Sequence, residues 1–169
     1  MRSLSVPLGF ALENYAKQAV SGRSGKDGVP AIDEPRFLAA KKADQFLSPE
    51  DVVFGVVLPN EVKAYPQRVL VWHEVVNDRL GGENVSVTYC PLTGSALGFM
   101  RGGTTFGVSG NLVNNNLILY DRARHSRWPQ TLGTAIDGAF TGDWLGPPME
   151  DAVKAYPGAR TAITERELH

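Results

Sequence analysis

The sequence predicts a mainly β domain, a β-rich α+β fold built as an antiparallel sandwich or a partly open barrel with a few short helices. Three observations predict it. The 169 residues include 18 Gly and 11 Pro, denser punctuation than a helical bundle tolerates. Short apolar runs with β-branched residues recur between turn-forming pairs. The intervals between those runs are short, which suits hairpins, whereas parallel pairs need crossovers of about a dozen residues or more.

Taken in order, Leu8 to Val20 has the length of a short helix, with Phe10, Leu12, Tyr15 and Ala19 unevenly spaced. The Gly- and Ser-rich stretch from Ser21 to Pro30 reads as a loop. Leu38 to Leu47 reads as a second helix, closed by Pro49 just beyond it. Val52 to Leu58 begins the β signal; Pro59-Asn60 turns it and Glu61 to Tyr65 returns as a hairpin. Val69 to Asn77 reads as a third strand, and Gly81-Gly82 breaks the chain before Val85 to Cys90. Ala96 to Met100, Thr104 to Val108 and Leu112 to Val113 are shorter strands, with Gly102-Gly103 as a hairpin turn between the first two. Leu117 to Asp121 is apolar on both faces, the mark of a central strand. Asp151 to Tyr156 reads as a closing helix.

Composition narrows the function classes. The formal net charge of −1 argues against a general nucleic-acid surface or a polybasic membrane surface, while a local patch stays open. A 43% hydrophobic and 21% charged chain has the makeup of a globular fold. Cys90 is the sole cysteine, so no internal disulfide supports the fold. No apolar run reaches the ~18–20 residues of a membrane span. The N-terminal stretch runs into Glu13 without a small-residue cleavage site, so the expectation is a cytoplasmic protein with a small-molecule ligand or substrate, no nucleic acid and no membrane.

Chemistry concentrates in three places. In Val85 to Cys90, alternation puts Val85, Val87 and Tyr89 on one face and Ser86, Thr88 and Cys90 on the other. Pro91 keeps Cys90 extended, and Leu92 to Ser95 turns beside the thiol with hydroxyls and backbone N–H groups. Such a strand end suits a nucleophile or a metal ligand if the thiol is activated; a small buried hydrophobe is the plain alternative. On the strand expected over Val69 to Asn77, His73 alternates with Val71 and Val75, as a core histidine does, or else stands beside Cys90 as base or ligand. A thiolate with a neutral imidazole suits copper or zinc, with His125 as a third ligand, and the same pair suits a Cys–His dyad. Beyond them, Ser109, Gly110, Asn111 and Asn114 to Asn116 are turn-formers. Tyr120 and Asp121 close the apolar strand. Arg122, Arg124 and Arg127 read as a solvated face or as receivers of an anion, and Trp128 and Gln130 as core or pocket lining. There is no G-x-S-x-G, Walker, G-x-G-x-x-G or H-E-x-x-H motif.

The segments KDGVPAIDEPRF, AYPQRVLVWHEVVND, VTYCPLTGSALGF, TTFGVSGNLVNNNLILYDR and SRWPQTLGTAI, in that order over about residues 26–142, resemble the bacterial and archaeal domain of unknown function 3179. That resemblance divides one domain, 1–169, into an N-terminal helix and extension (1–25), a β core (26–142) and a C-terminal appendage (143–169). It draws attention to Trp72, His73, Glu74, Tyr89, Cys90, Pro91, Gly94, Ser109, Gly110, Asn114, Tyr120, Asp121, Trp128 and Gln130. It implies no particular reaction. Where many relatives carry a second cysteine this chain has Thr93, which cannot resolve a mixed disulfide. Export or lipid anchoring, which the resemblance implies for many relatives, is not supported by this N-terminus.

Three functional readings follow. In the first, Cys90 is a thiolate nucleophile, His73 sets its protonation, and Glu74 or Asp121 orients or shares protons. Tyr120, Trp128, Gln130, Ser109 and Asn114 then line its pocket. In the second, Cys90 and His73 are ligands to copper or zinc. In the third, the chain is a non-catalytic β module that binds a small ligand, and Cys90 is packing.

Overall fold

The computed structural model describes residues 12–145 together with the short segments 154–155 and 162–163. In chain order the elements are α1 (Leu12–Gln18), β1 (Val20–Ser21), β2 (Ile32–Asp33), β3 (Phe37–Leu38), α2 (Ala40–Ala43), β4 (Val53–Leu58), β5 (Glu61–Pro66) and α3 (Gln67–His73). They continue with β6 (Val75–Leu80), β7 (Glu83–Cys90), β8 (Ser95–Met100), β9 (Phe106–Val113), β10 (Asn116–Asp121), β11 (Arg127–Pro129), β12 (Lys154–Ala155) and β13 (Ala162–Ile163). The fold is mainly β, as the sequence predicts, in open sheets without a closed barrel among the described residues.

Two four-stranded sheets form the centre, ordered β2-β6-β7-β8 and β1-β9-β10-β11. Between them lies a core of Val75, Cys90, Phe106, Val108, Leu117, Leu119, Trp128 and Ala135. The other face of the first sheet (Val76, Leu80, Val85, Val87, Tyr89) packs on Phe54, Val56, Tyr65, Val69 and Leu70 from the β4–β5 hairpin and α3. The outer face of the second sheet carries Ile118 and Val113, covered by Leu12, Tyr15, Ala16 and Ala19 around α1. Strand β10 is therefore buried at all six positions, and β7 at its last six, each strand feeding a different core on alternate residues.

Local chemistry explains most boundaries. Pro59-Asn60 and Gly81-Gly82 each form a two-residue hairpin turn, and Asn114-Asn115, at φ 51° and 59°, does the same between β9 and β10. The two short strands expected over Thr104 to Val113 are one strand, β9, with a bulge. Its register against β10 jumps from Asn111↔Ile118 to Val108↔Leu119, leaving Ser109 and Gly110 unpaired. Ser109 Oγ closes the bulge by donating to Ile118 O. Gly110, at φ 76°, is required there: a Cβ would meet the Gly25 carbonyl carbon at 2.4 Å.

Several expectations need correction. Val69 to His73 is helix α3, not strand. Pro66 caps the helix N-terminally in extended backbone, Val69 and Leu70 face the core, and Val71 and Trp72 point out. The apolar letters fit a period of 2 or of 3.6; Pro66 decides, because it cannot donate to a continued ladder. Glu74 ends the helix in the left-handed region, at φ 57°, and the strand starts only at Val75. Gly102-Gly103 is no hairpin turn, because β8 pairs β7 while β9 belongs to the other sheet. Arg101 holds that crossing: its Nε donates to Val85 O and its Nη1 to Thr104 O. Pairing is mixed, not wholly antiparallel: β2 runs parallel to β6, and residues 34–74 supply the long connection. The expected helix over Leu38 to Leu47 shrinks to α2 and following turns, with Leu38 in β3. Of the expected helix over Leu8 to Val20, the described part is α1, with Val20 in β1; of the closing helix over Asp151 to Tyr156, Lys154 and Ala155 form β12 against β4, and the rest lies outside the described residues. No described helix is long and apolar enough to cross a membrane.

A polar seam joins the two central sheets. Buried Asn77 donates to Asp33 Oδ1 (2.8 Å) and Phe106 O (2.7 Å), and accepts from Ser86 Oγ (2.7 Å) and Phe106 N (2.9 Å). All four valences of one amide are thereby used, two of them on the opposite sheet. Asn77→Ala strands several of these partners in the interior, so it is expected to lower the unfolding free energy by about 3 kcal/mol in urea titrations. A loss under about 1 kcal/mol would show that the seam does not hold the sheets.

Candidate functional site

Cys90 does share its face with Ser86 and Thr88, but the hydroxyls are engaged. Ser86 Oγ donates to Asn77 Oδ1, and Thr88 Oγ1 donates to Leu97 O while accepting from Gln130 Nε2. Cys90 is 1% exposed and packs in the inter-sheet core, and its Sγ donates weakly to Asn115 O at 3.8 Å. His73, half-buried at the end of α3, donates its Nδ1–H to Pro30 O at 2.8 Å. Thiol and imidazole therefore have separate hydrogen-bond partners. Among the described residues no three His, Cys, Asp or Glu side chains gather closely enough to hold a metal ion.

Asp121 is fully buried and stabilises the turn after β10. Its Oδ1 accepts from Arg124 N (2.6 Å), and its Oδ2 accepts from Ser126 N (2.9 Å) and Trp128 Nε1 (3.1 Å). Trp128 also stands edge-on to Phe106 in the core. Asn114 lines a hollow of about 240 Å³ with Asn14, Tyr15 and Gln18, on the α1 side of the second sheet. Tyr120 donates its hydroxyl to Asp27 Oδ2 (2.5 Å), and burial, with that carboxylate, raises its pKa against the lowering effect of Arg122. The bond reaches across Gly107, where a Cβ would lie 2.6 Å from both Asp27 Oδ1 and the Tyr120 ring. Arg122 and Arg127 are paired, with Asp33 and Asp137.

Gln130 does belong to a cluster at the Cys90 end. Its Nε2 donates to Thr88 Oγ1 and Ser95 O, both at 3.0 Å, and its Oε1 accepts from Asn116 Nδ2 at 2.8 Å. Asn116 Nδ2 also donates to Thr93 Oγ1 at 2.9 Å, and Ser95 Oγ donates to the same oxygen at 3.0 Å. The loop 91–94 covers this corner and is exposed at all four residues. Asn116, 3% exposed, was legible only as a turn-former; the signal that it matters is an amide that opens a buried strand whose next four residues, Leu117 to Tyr120, are apolar.

Asn116 Oδ1 is buried and has no hydrogen-bond partner. Turning the amide over does not relieve it. Ser95 O can only accept, so the Gln130 atom facing it is nitrogen, and Oε1 must face Asn116. Asn116 must then offer Nδ2 to Oε1, which fixes Oδ1 as the orphan. A buried acceptor left without a donor costs about 1–3 kcal/mol.

These features define a layered β domain in which, among the described residues, every buried side-chain polar atom but Asn116 Oδ1 has a partner. The chain matches the family model described as protein of unknown function (DUF3179) over residues 26–157, and it belongs to that family. No curated protein and no solved structure matches it.

Two outcomes are expected. Iodoacetamide should label native Cys90 far more slowly than the urea-unfolded chain between pH 6 and about 8.5, an ordinary thiol's pKa; comparable rates would restore an accessible thiolate. Burial raises the pKa of Glu74 above the ordinary 4.5. The folded state then holds that proton more tightly than the unfolded chain, so stability present below pH 4.5 is lost as pH rises through the raised value. Glu74→Gln should raise the urea midpoint at pH 7, with the gain vanishing below pH 4.5. A gain independent of pH would refute the burial argument.

Proposed function

We propose that this domain is a non-catalytic binding module for a small polar ligand, seated at the corner made by loop 91–94, Asn116 and Gln130. The observation that carries the reading is the orphan Oδ1 of Asn116, an acceptor that the fold positions and desolvates beneath the exposed loop 91–94, where a ligand's donor meets it once that loop yields. Thr93 completes the corner. Its oxygen accepts twice, from Ser95 Oγ and Asn116 Nδ2, so its own O–H is left to donate. An acceptor beside a donor suits an alcohol or a carboxamide, which supplies one of each. Cys90 closes the corner from the core side as a small apolar residue, which the burial of its sulfur supports over a nucleophile or a ligand to copper or zinc.

The test is a titration of ¹⁵N-labelled protein with small alcohols and carboxamides, beginning with ethylene glycol and acetamide. Saturable shifts should appear in the side-chain amides of Asn116 and Gln130 and the backbone amides of residues 92–95. Thr93→Val, a near-isosteric change at an exposed residue, should weaken binding by about tenfold, the ~1.4 kcal/mol of one hydrogen bond. Absence of saturation, or equal binding by Thr93→Val and Asn116→Ala, would overturn the reading.

A further inference from the structure

The tip of the β9–β10 hairpin lies beside α1. Strand β1 brings the two together: it pairs Val20 with Leu112 and Ser21 with Asn111, so the C-terminal end of α1 is held against the last residues of β9. Between the helix and the hairpin turn is the hollow of about 240 Å³ bordered by Asn14, Tyr15 and Gln18 of α1 and by Asn114 of the turn. Asn14 and Gln18 are four residues apart and Tyr15 and Gln18 three, the spacings that put side chains on one face of a helix.

The lining is uncharged. The charged residues of α1, Glu13 and Lys17, pair with each other at 3.7 Å and border a groove on the helix's other flank, with Ile136, Asp137 and Thr141. The carboxamides are also uncommitted: the side chains of Asn14, Gln18 and Asn114 have no hydrogen-bond partner among the described residues. The walls that carry them are nonetheless held. Half-buried Tyr15 packs on the cluster of Val113, Ile118 and Ile136, which seats α1 on the sheet. Asn114 is set by its two-residue turn, at φ 51°, with Asn115 following at φ 59°. Three free amides and an aromatic side chain thus border one hollow from two anchored elements.

We infer that this hollow is a second binding site, and that it takes a single neutral sugar ring. Each carboxamide offers two N–H donors and an acceptor oxygen, and each sugar hydroxyl both donates and accepts, so neighbouring hydroxyls are met in pairs. A charged ligand would give up water here without gaining an opposite charge, which favours a neutral one. Tyr15 supplies the apolar surface that the C–H face of a pyranose requires, with a polar tip at its end. Pockets for drug-sized ligands run to about 300–1,000 Å³, so a hollow just under that range suits one ring and not a chain. The site shares no residue with the corner at Asn116 and stands or falls separately.

Titration of ¹⁵N-labelled protein with D-glucose, D-galactose and D-mannose tests it, with cyclohexanol, a ring bearing one hydroxyl, as a parallel arm. Saturable shifts are expected for at least one sugar in the side-chain amides of Asn14, Gln18 and Asn114 and the backbone amides of residues 14–18 and 113–115. Cyclohexanol should bind about tenfold or more weakly. Asn114→Gly keeps the left-handed turn and removes the carboxamide, and Gln18→Ala keeps the helix; each should weaken sugar binding by about tenfold, the ~1.4 kcal/mol of one hydrogen bond. Asn115→Gly, the matched change one residue on, should leave it unchanged. Shifts that grow linearly with all three sugars, or an equal loss in Asn115→Gly, would overturn the inference. Cyclohexanol binding as tightly as the sugars would overturn the ligand class. Sugar-induced shifts confined to Asn116, Gln130 and residues 92–95 would assign the sugar to the other corner and overturn this site alone.

Discussion

The requirement that polar groups buried between two sheets find partners organises this protein. An ordinary sandwich interior is apolar, but here the facing surfaces carry Asn77, Ser86, Thr88, Asn116 and Gln130 among the aliphatic and aromatic side chains. A buried amide without partners costs more than a hydrogen bond returns, so each must be met from the opposite layer or from its own. Asn77 does this for the β6–β9 contact, and Gln130 for the contact of β11 with β7 and β8. Apolar contacts tolerate sliding, whereas directed bonds of this kind fix how the two sheets are set against each other.

The same constraint explains where the candidate site falls. The seam closes completely around Asn77 and is left open at Asn116, because the network at the Cys90 end has a fixed direction that runs from Ser95 O through Gln130 to Asn116. The thiol lies next to this corner, buried in the inter-sheet core. Asp121 is similarly drawn into structure, its two oxygens consumed by a turn and an indole.

A second polar lock lies on the far side of the first sheet. Lys63 donates to both oxygens of Asp78 at 3.0 Å and to Arg79 O at 2.8 Å, and Tyr65 donates to Asp78 Oδ2 at 2.8 Å. Burial and the neighbouring carboxylate raise the Tyr65 pKa, so the phenol keeps its proton and can act as a donor. All these groups are satisfied, which distinguishes this cluster from the corner at Asn116. Its effect is to fasten the β4–β5 hairpin to β6, and nothing there is left over for a ligand.

Much of this was written in the local sequence. Alternation assigned Val85, Val87 and Tyr89 to one core and Ser86, Thr88 and Cys90 to the other face. The unbroken apolar run at Leu117 to Tyr120 marked a central strand, and paired Gly and Asn residues marked turns. These follow from backbone periodicity and turn sterics, which involve only neighbouring residues. Packing between layers decided the rest. Whether Val69 to His73 coils or extends depended on Pro66 ending one ladder and Glu74 accepting a left-handed conformation. Whether the hydroxyl-bearing face around Cys90 opened to solvent or closed against Phe106 and Leu119 depended on β9 and β10, strands of another sheet that come later in the chain. A side chain's face is a property of its own strand, but what stands opposite that face belongs to the tertiary structure alone.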